Sequence, residues 1–417
     1  MKLLLISINS FSKSANNGKT FESMLRGFKR EELAQLYFSA EVPDFDYCNR
    51  YFRITDIDII NSLIKCQKRC GGSVFQSPNN HINTTTNKQQ KIVRRMKRFV
   101  SPAMRDMLWA TRRWDTAELR SWCSEFAPDV VMCVGGPFGF LTKIAGEIAK
   151  RLDVPLVTFY TDDYLLYSIK RNIWYGAEKW RRNRIFEAAV KQSQLLLAIG
   201  ELMAEQYSAR FNRKFHPIMN SVEIAPYREY PRREKLTISY FGGLHLNRWK
   251  MIARLAELIN QQAQIEVYTM AEPEQAIMAE FERTGVRFCG GVTGEMLKEK
   301  IYGSDILLHI ESDNRYMRRL TSLSVSTKIP EYLVSGRPIL GFGPAEVASM
   351  KLLTDNNVGY FISSEEADAK ITEKLSRLIA DYELRKELGT RGYEYAIDNF
   401  DNEKVVERLM NLLNNIL

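Results

Sequence analysis

Residues 326–344 read STKIPEYLVSGRPILGFGP. Proline is tolerated in a helix's first turn, where the N–H groups have no intrahelical partner. Pro330 therefore places a helix start near Ser326 or Thr327, both good N-cap types. Gly336 ends that helix, and the apolar run PILGFG at 338–343 follows as a buried strand. Lys328 sits in the first turn, with Glu331 three residues on and on the same side. A helix start offers unpaired N–H groups and partial positive charge, so this end suits an anion.

Outward from that block, strands alternate with helices along the whole chain, the pattern of parallel α/β sheets. In the first half, strands are expected at 2–8, 35–39, 129–135, 155–160 and 195–200. Residues 71–90, GGSVFQSPNNHINTTTNKQQ, are polar and rich in breakers, and read as a mobile loop. The proline-containing, charged stretch 221–235 reads as a linker, after which the alternation restarts with strands at 236–242, 265–270, 286–291, 305–310, 338–343 and 358–363. The expected fold is α/β with two Rossmann-like doubly wound domains facing a central cleft: residues 1–220, then 236–400, with a helix over 401–417 packing back on the first domain. Ligands of such sheets bind at the carboxyl ends of the strands.

With 417 residues, two or three domains are expected, and 45% hydrophobic with 26% charged residues describes a soluble globular chain. No stretch approaches the roughly 18 apolar residues of a membrane span, and MKLLLISINS reads as a first strand and not a signal peptide. The six cysteines, Cys48, Cys66, Cys70, Cys123, Cys133 and Cys289, show no CxxC pair or zinc spacing and read as reduced, mostly buried thiols. Four scattered histidines argue against a histidine-based metal site.

The net charge of +9 is concentrated. Residues 88–122 hold ten Lys or Arg against three acids, interleaved with Phe99, Trp109, Trp114 and Trp122. Residues 164–184 hold six against one, with Trp174, Tyr175 and Trp180. Cations mixed with Trp and Tyr suit an anionic membrane surface. The competing reading is a pair of solvated helices whose tryptophans face the core; nucleic acid is a third, weaker fit. On the membrane reading, Arg94, Arg95, Lys97 and Arg98 carry much of the attachment.

The run TKIPEYLVSGRPIL, preceded by VRFCGGV and YGSDILLHIES, resembles the donor-binding half of glycosyltransferases with the B-type fold. The likeness is greatest to the family-4-like enzymes of bacterial surface polysaccharide and lipopolysaccharide assembly. Upstream, LLLAIGELMAEQYSARFNRKFHPIMNSVE resembles the end of their N-terminal domain, and ISYFGGLHLNRWK stands where they keep a glycine-rich turn followed by basic residues. The similarity runs over roughly residues 125–400 in order and spacing. It implies a nucleoside diphosphate sugar as donor substrate, with no cofactor and no metal, and retention of anomeric configuration. Glu331 would accept hydrogen bonds from both ribose hydroxyls. The helix start at Ser326 and Thr327, with Lys328, Arg248 and more weakly Lys250, would hold the diphosphate, and Gly242 and Gly243 would admit it closely. Arg248 and Lys328 would stabilise the departing diphosphate.

One departure stands out: many family members carry a second glutamate eight positions before the ribose-binding one, and here that position is Leu323. The basic stretch after Glu311 would instead place Arg318 or Arg319 over the diphosphate. In the first domain, Gly18 and Lys19, in the loop after the first strand, would line the cleft, and Asp162 would serve as a base for the acceptor hydroxyl. The implied acceptor is a lipid-linked or membrane-associated glycan, the implied location cytoplasmic at the inner face of the cytoplasmic membrane, and nucleic acid is not an expected partner. A nucleotide-sugar epimerase of the same fold, and a catalytically silent nucleotide-sugar binder, are the alternatives.

Overall fold

A computed structural model describes residues 1–12, 18–44, 46–65, 69–74, 102–167 and 172–417. The chain divides into two compact units, Met1–Ile218 with Val406–Leu417, and Met219–Val405. The strands of unit 1 are β1 (Leu3–Ser7), β2 (Leu33–Tyr37), β3 (Arg50–Arg53), β4 (Gly72–Val74), β5 (Val130–Val134), β6 (Leu156–Tyr160), β7 (Leu195–Ala198) and β8 (His216–Pro217). Among the described residues they form one sheet in the order β4-β3-β2-β1-β5-β6-β7-β8. Every residue of β1 and β5 is buried, as expected of strands covered on both faces.

All five strands expected in this half lie within two residues of their predicted ends; β2 is the one shifted at both ends, two residues toward the N-terminus, and Phe38 just beyond it packs edge-on against Trp109, 4.9 Å between ring centres. Three strands were not foreseen. β3 is short and ends in arginines, β8 is two residues including a proline, and β4 lies in the stretch expected to be a loop. β4 also runs antiparallel to β3, so the sheet is parallel except at that edge. The rest of the expected loop, 75–90, lies outside the described residues, as do Cys66, residues 88–101 and the four basic positions at 94, 95, 97 and 98.

The core of unit 1 corrects one expectation. Trp109 is stacked on Phe140 at 4.5 Å and its indole N–H donates to Asp56 at 2.6 Å, while Trp114 and Trp122 are also buried. These three tryptophans therefore pack inside the protein. Three arginines of the same stretch are engaged as well: Arg105 pairs with Asp56, Arg112 with Glu147, and Arg120 with Asp115. Free thiols at Cys48, Cys70, Cys123 and Cys133 are buried. Burial pushes Cys48 up to about 11 and Cys70 and Cys123 to about 12, which leaves them protonated and unreactive at neutral pH.

Unit 2 contains all six strands expected in the second half: β9 (Thr237–Phe241), β10 (Gln264–Tyr268), β11 (Arg287–Phe288), β12 (Ile306–Ile310), β13 (Ile339–Gly343) and β14 (Tyr360–Ser363). They pair in parallel in the order β11-β10-β9-β12-β13-β14. This is the doubly wound order in which the chain starts at the centre, builds one edge, and returns to build the other. Residues 221–235 belong to this unit and are fastened to it. Tyr230 is buried and donates to Asp305 O at 3.0 Å, while Arg337 reaches Glu229 O and Arg385 donates to the Tyr230 hydroxyl at 2.9 Å.

The helix read from the opening stretch spans Lys328–Leu333 with Pro330 in its first turn. Thr327 is its N-cap but makes no side-chain cap bond; instead Asn220 Nδ2 donates to Thr327 O at 3.0 Å. After the helix, Gly336 adopts φ +67°, and a Cβ there would lie 2.8 Å from the Tyr227 ring, so glycine meets both a backbone and a steric requirement.

Candidate active site

In an open doubly wound sheet the crevice for a ligand lies where the strand order reverses, beyond the carboxyl ends of the strands. In unit 2 that point is between β9 and β12. The two strands pair only at Ile306↔Ile238 and Leu307↔Ser239, whereas β9 and β10 pair over five residues. Beyond Ser239 and Leu307 the strands have no further ladder between them. The segments that leave these two carboxyl ends supply the site.

After β9 the chain turns through Gly242 and Gly243 and enters the helix Arg248–Ile259. A Cβ on Gly242 would stand 3.0 Å from the Tyr240 hydroxyl and 3.5 Å from Lys328 Nζ, so this turn lies directly beside the lysine of the later helix. The Tyr240 hydroxyl donates to Gly243 O at 2.8 Å and closes the turn. Leu246 and Asn247 then take left-handed φ values of +61° and +60°. Two consecutive non-glycine residues in that region are costly, on the order of 1–3 kcal/mol each, and such strain gathers at functional sites. Its outcome here is to deliver Arg248 inward at the first helical position.

Arg248 meets Glu311, which follows directly on β12. Arg248 Nη2 lies 3.3 Å from both carboxylate oxygens, and the two side chains are only 17% and 3% exposed. His309 Nε2 approaches Glu311 Oε1 at 3.4 Å. Burial alone would raise the Glu311 pKa, but His309 and the Arg248 charge outweigh it and hold the carboxyl below its usual range. Arg248 Nε is buried with no hydrogen-bond partner. Glu311 was not among the residues singled out from sequence. Its signal is in DILLHIES, where His309 and Glu311 stand two apart at the end of an apolar strand and so share one face.

Lys328 completes the cationic group. Partial burial, then the charges of Arg248 and Lys328, hold the His245 imidazole below its ordinary pKa, which places both cations near it. The helix carrying Lys328 is fixed to β9 by Tyr332, whose hydroxyl lies 3.3 Å from Phe241 N and 3.4 Å from Phe241 O. Glu331 is half-buried on that helix. Ser326 N donates to Ser349 Oγ at 3.1 Å, so Ser326 and Thr327 are held as the start of the helix. Lys250 points elsewhere: it is exposed, with its ammonium 5.3 Å from the Trp249 ring.

Two further positions are resolved by packing. Leu323 is 1% exposed and belongs to the core. Arg318 pairs with Glu346 and Glu365.

In unit 1, Asp162 and Asp163 close β6 and separate into two roles. Asp163 is buried and accepts from the backbone N–H groups of Leu165, Leu166 and Tyr167 and from the Tyr207 hydroxyl, which makes it structural. Asp162 is half-buried and accepts from the Tyr164 hydroxyl at 3.3 Å. Gly18 opens the helix Gly18–Leu25; the preceding residues 13–17 and the side chain of Lys19 lie outside the described residues. A groove lined by Trp109, Phe140, Lys143, Glu147 and Gln192 runs over helices of this unit and does not include Asp162.

No family model matches the sequence, and comparison with curated proteins finds no match. Solved structures do match. Anabaena HepE, in complex with UDP and glucose, aligns over 99% of both chains with a TM-score of 0.61 at 11% identity. WaaG, a glycosyltransferase involved in lipopolysaccharide biosynthesis, aligns over 98% of this chain and 99% of its own, with a TM-score of 0.56 at 14% identity. A glycosyltransferase from Rickettsia africae aligns over 100% and 98%, with a TM-score of 0.58 at 11% identity. The chain thus has the fold of the B-type glycosyltransferases, two Rossmann-like doubly wound α/β domains.

Proposed function

We propose that this protein is a glycosyltransferase that takes a nucleoside diphosphate sugar in unit 2 and passes the sugar to a hydroxyl of a glycan acceptor. The observation that carries the proposal is the gathering of Arg248 and Lys328 around the Gly242–Gly243 turn at the switch point, with Glu331 one helical turn beyond Lys328. Two cations and a close backbone approach fit a diphosphate, and a carboxylate can accept from both hydroxyls of a ribose. HepE, of the same fold, was crystallised with UDP and glucose, a ligand pair of this chemical kind.

In the proposed reaction the acceptor oxygen bonds to the anomeric carbon as that carbon's bond to the diphosphate oxygen breaks. Arg248 and Lys328 stabilise the charge that grows on the leaving diphosphate, an electrostatic contribution that needs no covalent intermediate on the protein. We assign Asp162 to take the acceptor's proton, and expect retention of configuration from the family-4-like motifs, with the acceptor oxygen entering on the face from which the diphosphate leaves. The test is a scan of nucleotide sugars for thermal stabilisation and for diphosphate release. Stabilisation with release supports transfer. Stabilisation without release by any donor or acceptor favours the silent binder, for which the apolar Leu323 is the specific observation. Epimerised sugar in the products favours the epimerase.

We further propose that the acceptor is lipid-linked or membrane-associated and that the protein attaches peripherally to the inner face of the cytoplasmic membrane. Among the described residues no helix is long and apolar enough to cross a membrane. The support is at the start of the helix Tyr175–Gln192, where Ile173, Trp174 and Trp180 are exposed, the tryptophans at 68% and 63%. Exposed Lys179 and Arg184 lie beside Tyr175 and Trp180. Arg181 and Arg182 are committed to Glu178, so fewer cations are available here than the sequence count implies. The protein is expected to sediment with anionic vesicles at low salt, to leave them at high salt, and to ignore neutral vesicles. Trp174→Ser with Trp180→Ser should reduce that binding severalfold without changing nucleotide affinity. Wild-type protein that stays free of anionic vesicles at low salt would point to a soluble acceptor.

A further inference from the structure

We infer that Glu311 is a positioning residue for the donor diphosphate: it holds Arg248 across the switch point so that the rest of the guanidinium faces the crevice. The inference rests on the donor site proposed above and adds to it a residue that would not itself touch the donor.

The geometry is specific. Arg248 enters from the segment after β9 and Glu311 from the segment after β12, the two strands whose ladder ends at Ser239 and Leu307. One nitrogen of the guanidinium, Nη2, is equidistant at 3.3 Å from both carboxylate oxygens, while Nε is buried and unpartnered. An arginine fork has five N–H donors, so commitment of one end to a carboxylate leaves donors for a phosphate. The backbone of Glu311 is held in place. Its N–H donates to Phe342 O at 3.1 Å, and its carbonyl packs so closely on Gly343 that a Cβ there would stand 2.9 Å away. His309 Nε2 flanks the same carboxylate, 3.4 Å from Oε1. A guanidinium held before the ligand arrives loses less conformational freedom on binding than one that must be ordered.

Electrostatics and positioning make opposite predictions for loss of this carboxylate. Glu311 carries negative charge near a site for an anion. If Arg248 kept its place unaided, Glu311→Gln would strengthen diphosphate binding. If Glu311 positions Arg248, the same change weakens it.

The test uses the full chain, with UDP and inorganic pyrophosphate as probes in calorimetry and uridine as the reference ligand. Glu311→Gln is expected to weaken UDP or pyrophosphate binding at least tenfold and to leave uridine unaffected. Arg248→Ala should do the same, and adding Glu311→Gln to Arg248→Ala should cost less than a further twofold, because the glutamate acts through the arginine. If Glu311→Gln does not fold, Glu311→Asp keeps the charge but withdraws it by one methylene, and should weaken the same probes at least threefold. Unchanged or tighter binding in the folded variant, or losses that multiply in the double variant, would overturn the positioning role while the donor site stood. Wild-type protein that bound neither probe would overturn the donor site and this role together.

Discussion

Arg248→Ala is expected to lower sugar transfer by on the order of 10²–10³-fold, the usual loss when one preorganised group facing developing charge is removed. The arginine is held at the switch point by a buried carboxylate, and a strained turn delivers it there. The same substitution acts on stability, because it leaves Glu311 buried without its cation. Breaking a buried ion pair by deleting one partner typically costs about 3–5 kcal/mol, so turnover is to be compared well below the variant's melting temperature. The pH dependence has a defined sign. Glu311 is held below its ordinary value of 4.5 in the folded protein. Its pairing therefore stabilises the fold above the unfolded pKa, and that stability is lost as pH falls through the lower, folded pKa. Without Arg248 one of the groups that offset burial is lost, so the carboxyl takes up its proton at a higher pH than in wild type. The variant should accordingly begin to unfold at a higher pH than wild type on acid titration, followed by circular dichroism. An acid transition at the same pH in both would mean that Arg248 does not hold the carboxyl down.

Glu331→Gln is expected to weaken binding of the nucleoside diphosphate by about 1.5–3 kcal/mol, the range for a hydrogen bond to a charged group, or roughly 10–150-fold. The amide keeps the size of the side chain but offers one acceptor oxygen in place of two, so it cannot take both ribose hydroxyls. Glu331 is half-buried on a helix whose placement depends on Ile329, Tyr332 and Leu333, all buried. The melting temperature of the free protein should therefore change little. Lys328→Ala separates the two halves of the ligand: it should weaken the diphosphate more than the bare nucleoside. Unaltered affinity of Glu331→Gln in calorimetry would remove the ribose assignment.

The strands of unit 2 were legible because each is an apolar run closed by glycine, proline or polar residues, as in LTISYFGG and RPILGFGP. The short helix was legible from Pro330 and Gly336, two residues with narrow backbone requirements. What sequence could not supply was the pairing order, and the position of the crevice follows from that order. Glu311 was missed for this reason: its partner Arg248 lies in the segment after a different strand, and only the adjacency of β9 and β12 brings them together. The ion pairs of Arg318 were hidden in the same way, because its acidic partners Glu346 and Glu365 come from later segments. The tryptophans show the same limit. Trp109, Trp114 and Trp122 are interior while Trp174 and Trp180 are exposed, although both sets stand among arginines. Which face of a helix meets the core is decided by what packs on it, and composition does not record that.

A crystal structure of the full chain with the nucleoside diphosphate that the donor scan selects tests the donor site itself. The diphosphate is expected against the Gly242–Gly243 turn, within hydrogen-bond reach of Arg248 and Lys328, with both ribose hydroxyls on Glu331 and the Arg248–Glu311 pair intact. A nucleotide bound at another place in the chain, with Arg248, Lys328 and Glu331 untouched, would contradict it.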